Sequence, residues 1–377
     1  MDAEREEALR AFLARAGWGE AALMPLPGDA STRRYLRAVL GERVAMVMDQ
    51  PLGAETPPCP PEASDEARRA LGYNAVARLA GADCARFVAV AEFLRGHGLS
   101  APQIYAAEPQ NGFVLMEDLG ERLYADVLLA GADENQLYQS AAEALARLHA
   151  EPAPVMLSPE KPLYAYDETA MLAEIDLMTE WFFPVGLGRP AREDEVAEHR
   201  ALWRKALRPV LNSAPVFVHR DYHAQNLLWL SERREAARVG VLDFQDAVAG
   251  SRAYDLVSLT EDARRDVAPE LAAAATAAYL AAMRRQGTPL DEDSYCAEMA
   301  VTAAQRNAKI VGIFARLHQR DGKPRYLSYL PRVWGYLSDD LDHPALAPLK
   351  AWYDKTVPAE HRGEPRLEGQ KLEGYSA

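Results

Sequence analysis

The chain has 377 residues, 49% of them apolar, which is enough for two domains or lobes with a sizeable core. Its 56 acidic residues outnumber 42 basic ones, and the net charge of −14 excludes the electrostatic footprint of a nucleic-acid binder and favours a small-molecule protein. Cys59, Cys84 and Cys296 lack CxxC or Cys/His spacing, which excludes a disulfide framework and a zinc site and fits a reducing cytoplasm.

The amino terminus starts acidic and turns amphipathic, with Ala8, Leu9, Phe12 and Leu13 at helical spacing, unlike the basic-then-apolar order of a signal peptide. No window approaches the ~20 apolar residues that span a bilayer, so the expected location is cytoplasmic with no membrane partner. A small-residue turn, with Gly28, Ala30, Ser31 and Thr32, then feeds an alternating strand to Val39, a Gly41-Glu42 turn and the strand Val44 to Met48. Period-two alternation puts Arg33 and Arg37 on one face with Tyr35 and Arg34 on the other. Residues 51 to 82 read as an insertion, Pro-rich at first and helical from Glu66 to about Leu79. A helix from Asp83 ends at Gly96 and Gly98, and Phe113 to Met116 form a buried strand that breaks into Glu117-Asp118-Leu119-Gly120.

Helices then dominate. One runs from Asp133 to Ala150; another, Asp167 to Phe183, carries Glu180 and Trp181 near its end and is stopped by Pro184. An indole beside a carboxylate suits a pyranose, which has an apolar face and hydroxyl donors, although a core Trp beside a surface Glu is the commoner arrangement. Two short apolar strands, Val216 to Val218 and Val239 to Leu242, frame a polar loop and bring Asp221, Asn226 and Asp243 to strand or loop ends. Such positions hold oxygen ligands at fixed separations, as a divalent cation bridging phosphates requires. Helices near 266 to 286, 291 to 318 and 325 to 342 follow, with Arg306 suited to a two-point contact with a carboxylate. Residues 358 to 377 have few apolar side chains and no periodicity, and disorder is expected there.

His219-Arg220-Asp221 and Asn226 match H-R-D-x-x-x-x-N, and Asp243-Phe244-Gln245 stands where kinases carry D-F-G. The stretch resembles the aminoglycoside and small-molecule phosphotransferase branch of the protein-kinase-like superfamily. The fuller string HRDYHAQNL…GVLDFQDAVAGSRAYDLVSL resembles the anomeric sugar kinases that phosphorylate N-acetylmuramate and N-acetylglucosamine in bacterial cell-wall recycling. The resemblance spans roughly 22 to 345 and implies a two-lobed α+β fold. The implied division is a nucleotide-binding lobe at 1–116, a catalytic and substrate lobe at 117–357 and a tail at 358–377.

It also implies ATP and Mg²⁺, with an amino sugar as the partner and no protein partner evident. Asp221 would accept or orient the proton of the attacking hydroxyl, His223 would lie near the transferring phosphate, and Asn226 and Asp243 would hold the metal. Gly28, Ser31 and Thr32 would cover the phosphates, and the main chain of Met116, Glu117 and Leu119 would take the adenine. Glu180, Trp181, Gln245, Asp246, Asp262 and Arg306 would face the sugar, whereas Asp255 reads as structural. In one respect the chain departs from the family: Val44 to Met48 contain no Lys or Arg to hold the phosphates. Arg33, Arg34 and Arg37 are the substitutes at hand, with Arg34 favoured. The alternatives are a kinase for another small molecule, such as an aminoglycoside, choline or homoserine, and a nucleotide-binding pseudokinase.

Overall fold

The computed structural model describes residues 3–27, 32–51 and 59–365. The chain divides into two compact units: residues 1–166, 214–260 and 268–290 form the first, and 167–213, 261–267 and 291–377 the second. The segment 216–255, expected to be catalytic, thus packs in the same unit as the amino-terminal sheet, rather than beyond a seam at 116. Hydrogen bonds between these parts explain why: Ser100 N–H donates to Val239 O at 3.2 Å, Val241 N–H donates to Ser100 O at 2.9 Å, and Arg233 meets Glu117 at 2.6 Å.

Five antiparallel strands make the sheet of the first unit: β1 (Ala22–Pro25), β2 (Arg34–Leu40), β3 (Arg43–Asp49), β4 (Ile104–Glu108) and β5 (Phe113–Glu117), in the order β1-β2-β3-β5-β4. β2 and β3 are the expected hairpin around Gly41, and alternating Leu36, Ala38, Ala45 and Val47 turn into a core shared with Leu9, Phe12 and Leu13 of the first helix. β1 and β4 carry no clean alternation; β1 is mostly exposed and β4 is interrupted by an irregularity between Ile104 and Ala106. The helical part of the insertion breaks at Gly72 (φ 100), giving Asp65–Leu71 and Tyr73–Val76 in place of one continuous segment. Helix Glu134–Leu148 packs its alanine-rich face on helix Pro269–Arg285, and His149 is structural there, bonded to Tyr279 Oη at 2.9 Å and Phe217 O at 3.1 Å.

The second unit is built on the 30-residue helix Glu292–Asp321, capped by Asp291 at its start and by Gly322 (φ 64) at its end. It passes so close to helix Glu168–Leu177 that a Cβ at Gly312 would lie 2.4 Å from the Leu177 carbonyl carbon, which is why that position carries glycine. Pro184 does not stop the helix before it. A π-helical turn, Met178–Phe182, absorbs the register change, and Pro184 sits in the first turn of Phe183–Leu187, where its missing N–H is not needed. The stretch expected to be disordered begins with a 3₁₀ turn, Ala359–His361, followed by Arg362 paired with Asp354 at 2.8 Å; residues 366–377 lie outside the described residues. Among the described residues no helix is long and apolar enough to cross a membrane.

Buried titratable groups set a pH window for stability. In the second unit burial pushes Glu261 up to about 7, and Asp340 is also pushed up, by burial first and by the charge of Glu261 next. Asn307 donates to both carboxyls, at 2.6 and 2.9 Å. Acids with raised values bind more protons folded than unfolded, so their contribution is complete below about pH 4 and is lost as pH rises through the folded value. Burial pushes His149 and His199 down to about 3 and His219 down to about 4. Their contribution has the opposite sign and is lost as pH falls below about 6.5, where unfolded histidine takes up a proton. Urea unfolding should therefore give a maximum near neutrality. Glu261→Gln should remove a stability loss that runs between about pH 4.5 and 7, so its curve climbs more steeply than the wild type's across that range and runs parallel to it above about pH 7.5; parallel curves between about pH 4.5 and 7 contradict this.

Candidate active site

The two strands framing the catalytic loop do not pair with each other. Val216–Val218 pairs with Val248–Gly250, and Val239–Val241 pairs with Leu227–Trp229, so the loop is held from two separate ribbons. Asp255, fully buried, accepts from His219 N–H at 2.6 Å and from Arg220 N–H at 2.9 Å. This supports the left-handed backbone of Arg220 (φ 79), whose guanidinium donates to Ala77 O at 3.0 Å and lies over the Tyr166 ring. The His219 ring spans Leu242 O at 2.9 Å and the Asp221 N–H at 3.2 Å; with its pKa pushed down by burial it is the neutral form, donating at Nε2 and accepting at Nδ1.

Asn226 Nδ2 donates to Asp221 O at 3.0 Å, and Leu242 N–H donates to Asn226 O at 2.9 Å. These bonds bring Asp221, Asn226 and the approach to Asp243 into one cluster. His223 is buried in the same loop, its Nε2 3.5 Å from Asn226 Nδ2. Asp243 has a positive φ of 57 and a side chain 49% exposed. Its carboxyl is held above the usual range, first by the protein atoms crowding it and then by the negative charge of Asp221. The negative charge of Asp221 beside the Asp243 carboxyl makes a place for a cation.

The donor set fits Mg²⁺. With the amide nitrogen of Asn226 committed to Asp221 O, its Oδ1 is turned the other way, and a neutral oxygen with one carboxylate is what Mg²⁺ takes when phosphates supply the rest. Among the described residues no cluster of three His, Cys, Asp or Glu forms an all-protein cage.

Gln245 and Asp246, expected to face a sugar, are occupied otherwise. Gln245 is buried and its Nε2 donates to Asp243 Oδ1 at 2.9 Å; Asp246 Oδ1 accepts from Ala80 N–H at 2.6 Å. Both hold the loop of Asp243, as does a residue that sequence reasoning passed over, Arg86. Its buried guanidinium donates to Gln245 O, Pro162 O and Ala247 O at 3.0, 3.0 and 2.6 Å. Phe244 packs on Phe87 with ring centroids 4.7 Å apart.

On the nucleotide side, Met116 and Leu119 are buried, but Glu117 N–H is taken by Gln103 O at 2.8 Å and its carboxylate by Arg233 and Arg95. Glu117 therefore cannot be the adenine donor; Leu119, two residues on and past the end of β5, is the next of the expected residues. Leu119 joins Leu228 and Leu230 in an apolar cluster. Gly28 and Ser31 lie outside the described residues, and Thr32 is half-buried just before β2. Arg34, the favoured phosphate arginine, turns to the buried Asp49 at 2.6 Å. Arg37 meets Asp118 at 2.6 Å and also Glu121, while Arg33 meets Asp243 at 3.4 Å. The alternation of the strand explains the division. Glu92, on the helix where kinases place the partner of the strand lysine, is exposed.

In the second unit Glu180 is exposed and Trp181 half-buried on the π-helical turn, with Arg316 5.8 Å from the indole centroid. π-turns of this kind recur at functional sites. Asp262 is buried and accepts from Arg264 N–H at 2.8 Å, so it closes a turn. Arg306 is 4% exposed and donates to Glu261 O at 3.0 Å. Its burial leaves little of the open fork that a substrate carboxylate would need.

The phosphotransferase enzyme family matches residues 22–290, and the chain belongs to that family. Its relatives include the N-acetylmuramate/N-acetylglucosamine kinase of Caulobacter vibrioides, 46% identical over 368 residues, 96% of this chain and 99% of the relative. A kinase of the same name from Pseudomonas aeruginosa is 35% identical over 326 residues, 85% of each chain. The fold is that of ADP-bound aminoglycoside phosphotransferase APH(2'')-Ib, with a TM-score of 0.54 at 16% identity over 92% of this chain and 98% of that one. The chain is thus an α+β phosphotransferase of the kinase-like fold.

Proposed function

We propose that the chain is an ATP-dependent kinase that phosphorylates the anomeric hydroxyl of N-acetylmuramate and N-acetylglucosamine in cell-wall recycling. The observation that carries this reading is 46% identity over nearly the full length to a kinase named for both sugars, in a chain that keeps Asp221, Asn226 and Asp243 together. Asn226 and Asp243 would hold Mg²⁺, which supplies charge neutralisation to the phosphates when bound. Asp221 orients the sugar hydroxyl and takes its proton as oxygen bonds to the γ-phosphorus and the bond to ADP breaks. A hemiacetal hydroxyl is more acidic than an ordinary alcohol, so a carboxylate is a competent partner. The apolar wall of Leu119 and Leu228 suits adenine, and the buried Met116 at the end of β5 is a further candidate. Glu180 and Trp181 remain the candidates for the sugar.

The test is to incubate the protein with Mg-ATP and a panel containing both sugars, glucose, an aminoglycoside, choline and homoserine. Phosphorylation at the anomeric oxygen removes the reducing end, so loss of reducing sugar should equal ADP formed. Transfer to another hydroxyl leaves the reducing end intact and rejects the acceptor assignment. ATP consumed only with a non-sugar replaces the substrate, and no consumption with any acceptor favours the pseudokinase alternative.

A further inference from the structure

We propose that Arg33, braced by Gln50 and the carbonyl of Gly81, is the cation that engages the nucleotide phosphates beside Asp243, in the role that kinases give to a strand lysine. The proposal rests on the phosphotransferase reading and names a residue for it. The need for a cation is electrostatic. A triphosphate carrying one Mg²⁺ is still an anion, and in a cleft of lowered dielectric an uncompensated charge is costly.

The arginines of the hairpin differ in what already neutralises them. Arg34 is paired with Asp49, which also takes Arg5 at 2.7 Å; Arg37 is paired with Asp118 and Glu121; Arg43 stacks over Trp18 at 4.3 Å. Arg33 is held by two neutral oxygens as well as by Asp243. Its Nε donates to Gln50 Oε1 at 3.2 Å and its Nη2 reaches Gly81 O at 3.5 Å, while Gln50 Nε2 donates to the same Gly81 O at 3.1 Å. Carbonyl oxygens fix a guanidinium without cancelling its charge. Arg33 also meets Asp243, at 3.4 Å, the residue assigned to the metal. With Asp243 committed to a divalent cation, the positive charge of Arg33 is directed at whatever anion that cation holds.

The brace is rigid. Gln50 is buried, its N–H donates to Gly112 O at 2.8 Å, and the backbone at Gly112 runs so close that a Cβ there would lie 1.9 Å from Gln50 O. Gly81 is fixed through the neighbouring Ala80 N–H on Asp246. Arg33 itself is 8% exposed along its side chain, so little rotamer freedom is left to lose on binding. The 73–81 stretch of the insertion therefore supplies an oxygen where a kinase helix would supply a glutamate.

The experiment measures Mg-ATP and adenosine binding by titration calorimetry, without sugar, for wild type, Arg33→Gln and Arg33→Lys. Arg33→Gln should weaken Mg-ATP at least about tenfold, the scale of one charge-assisted contact, and leave adenosine unchanged. Arg33→Lys should restore part of the loss. Wild-type Mg-ATP affinity in Arg33→Gln overturns the proposal. So does an equal loss of Mg-ATP and adenosine, which would make Arg33 a strut of the fold. Because binding is read without an acceptor, a negative sugar panel leaves this result standing.

Discussion

Replacing Asp243 by Asn should abolish turnover, by roughly 10³-fold or more, in a protein that stays folded. The backbone permits the change, since φ at this position is 57 and Asn tolerates the left-handed region better than most residues. The surroundings permit it as well. The amide oxygen of Asn can still accept from Gln245 Nε2, and the side chain is half exposed and so carries little of the core. Electrostatics gives a sign for stability. The carboxyl is pushed above its ordinary value, first by the crowding of protein atoms and then by Asp221, so without a metal its charge is a burden. Asp243→Asn should then be at least as stable as wild type in urea without Mg²⁺, while losing whatever stabilisation Mg-ATP gives the wild type. Activity near wild type would remove Asp243 from the metal. A variant that unfolds would make the residue structural.

The parts of this site legible in the sequence are those whose geometry is local. Asp221 and Asn226 lie in one loop and are joined by a bond from the Asn226 side chain to the Asp221 carbonyl, so a spacing pattern captures them. Arg33 and Asp243 are 210 residues apart, and Gln50 meets Gly81 across 31 residues; no periodicity encodes such meetings. Alternation on β2 did separate Arg33 and Arg37 from Arg34, but choosing between the faces required knowing that Asp49 waits on the side of Arg34. Gln245 and Asp246 show a related limit. Their position beside the metal loop was readable, yet their partners, Asp243 and the Ala80 amide, turn both into braces. In the fold, β2, β3 and β5 announce themselves by alternation or unbroken apolarity. The exposed β1 and the irregular β4 do not, and the π-turn that lets the helix run through Pro184 has no sequence signal of its own.

Asp221→Asn should leave nucleotide binding largely intact and lower kcat by roughly 10²- to 10⁴-fold, the range for loss of a positioned proton acceptor. The loop depends on the main chain of this residue. Its N–H donates to the His219 ring and its carbonyl accepts from Asn226, and neither bond involves the carboxylate. Asp255 holds the preceding two amides in either case. The substitution also removes the charge that raises the Asp243 carboxyl, so the metal position should not be weakened through its neighbour. A KM for ATP close to wild type with a collapsed kcat is the expected signature. The residual rate carries a second one. An anomeric hydroxyl ionises more readily than other sugar hydroxyls, so with no carboxylate to take its proton, the variant's kcat should climb as pH rises, more steeply than the wild-type value does. Loss of ATP affinity together with rate would make Asp221 a structural residue of the loop, and a pH-independent residual rate would deny it the role of proton acceptor.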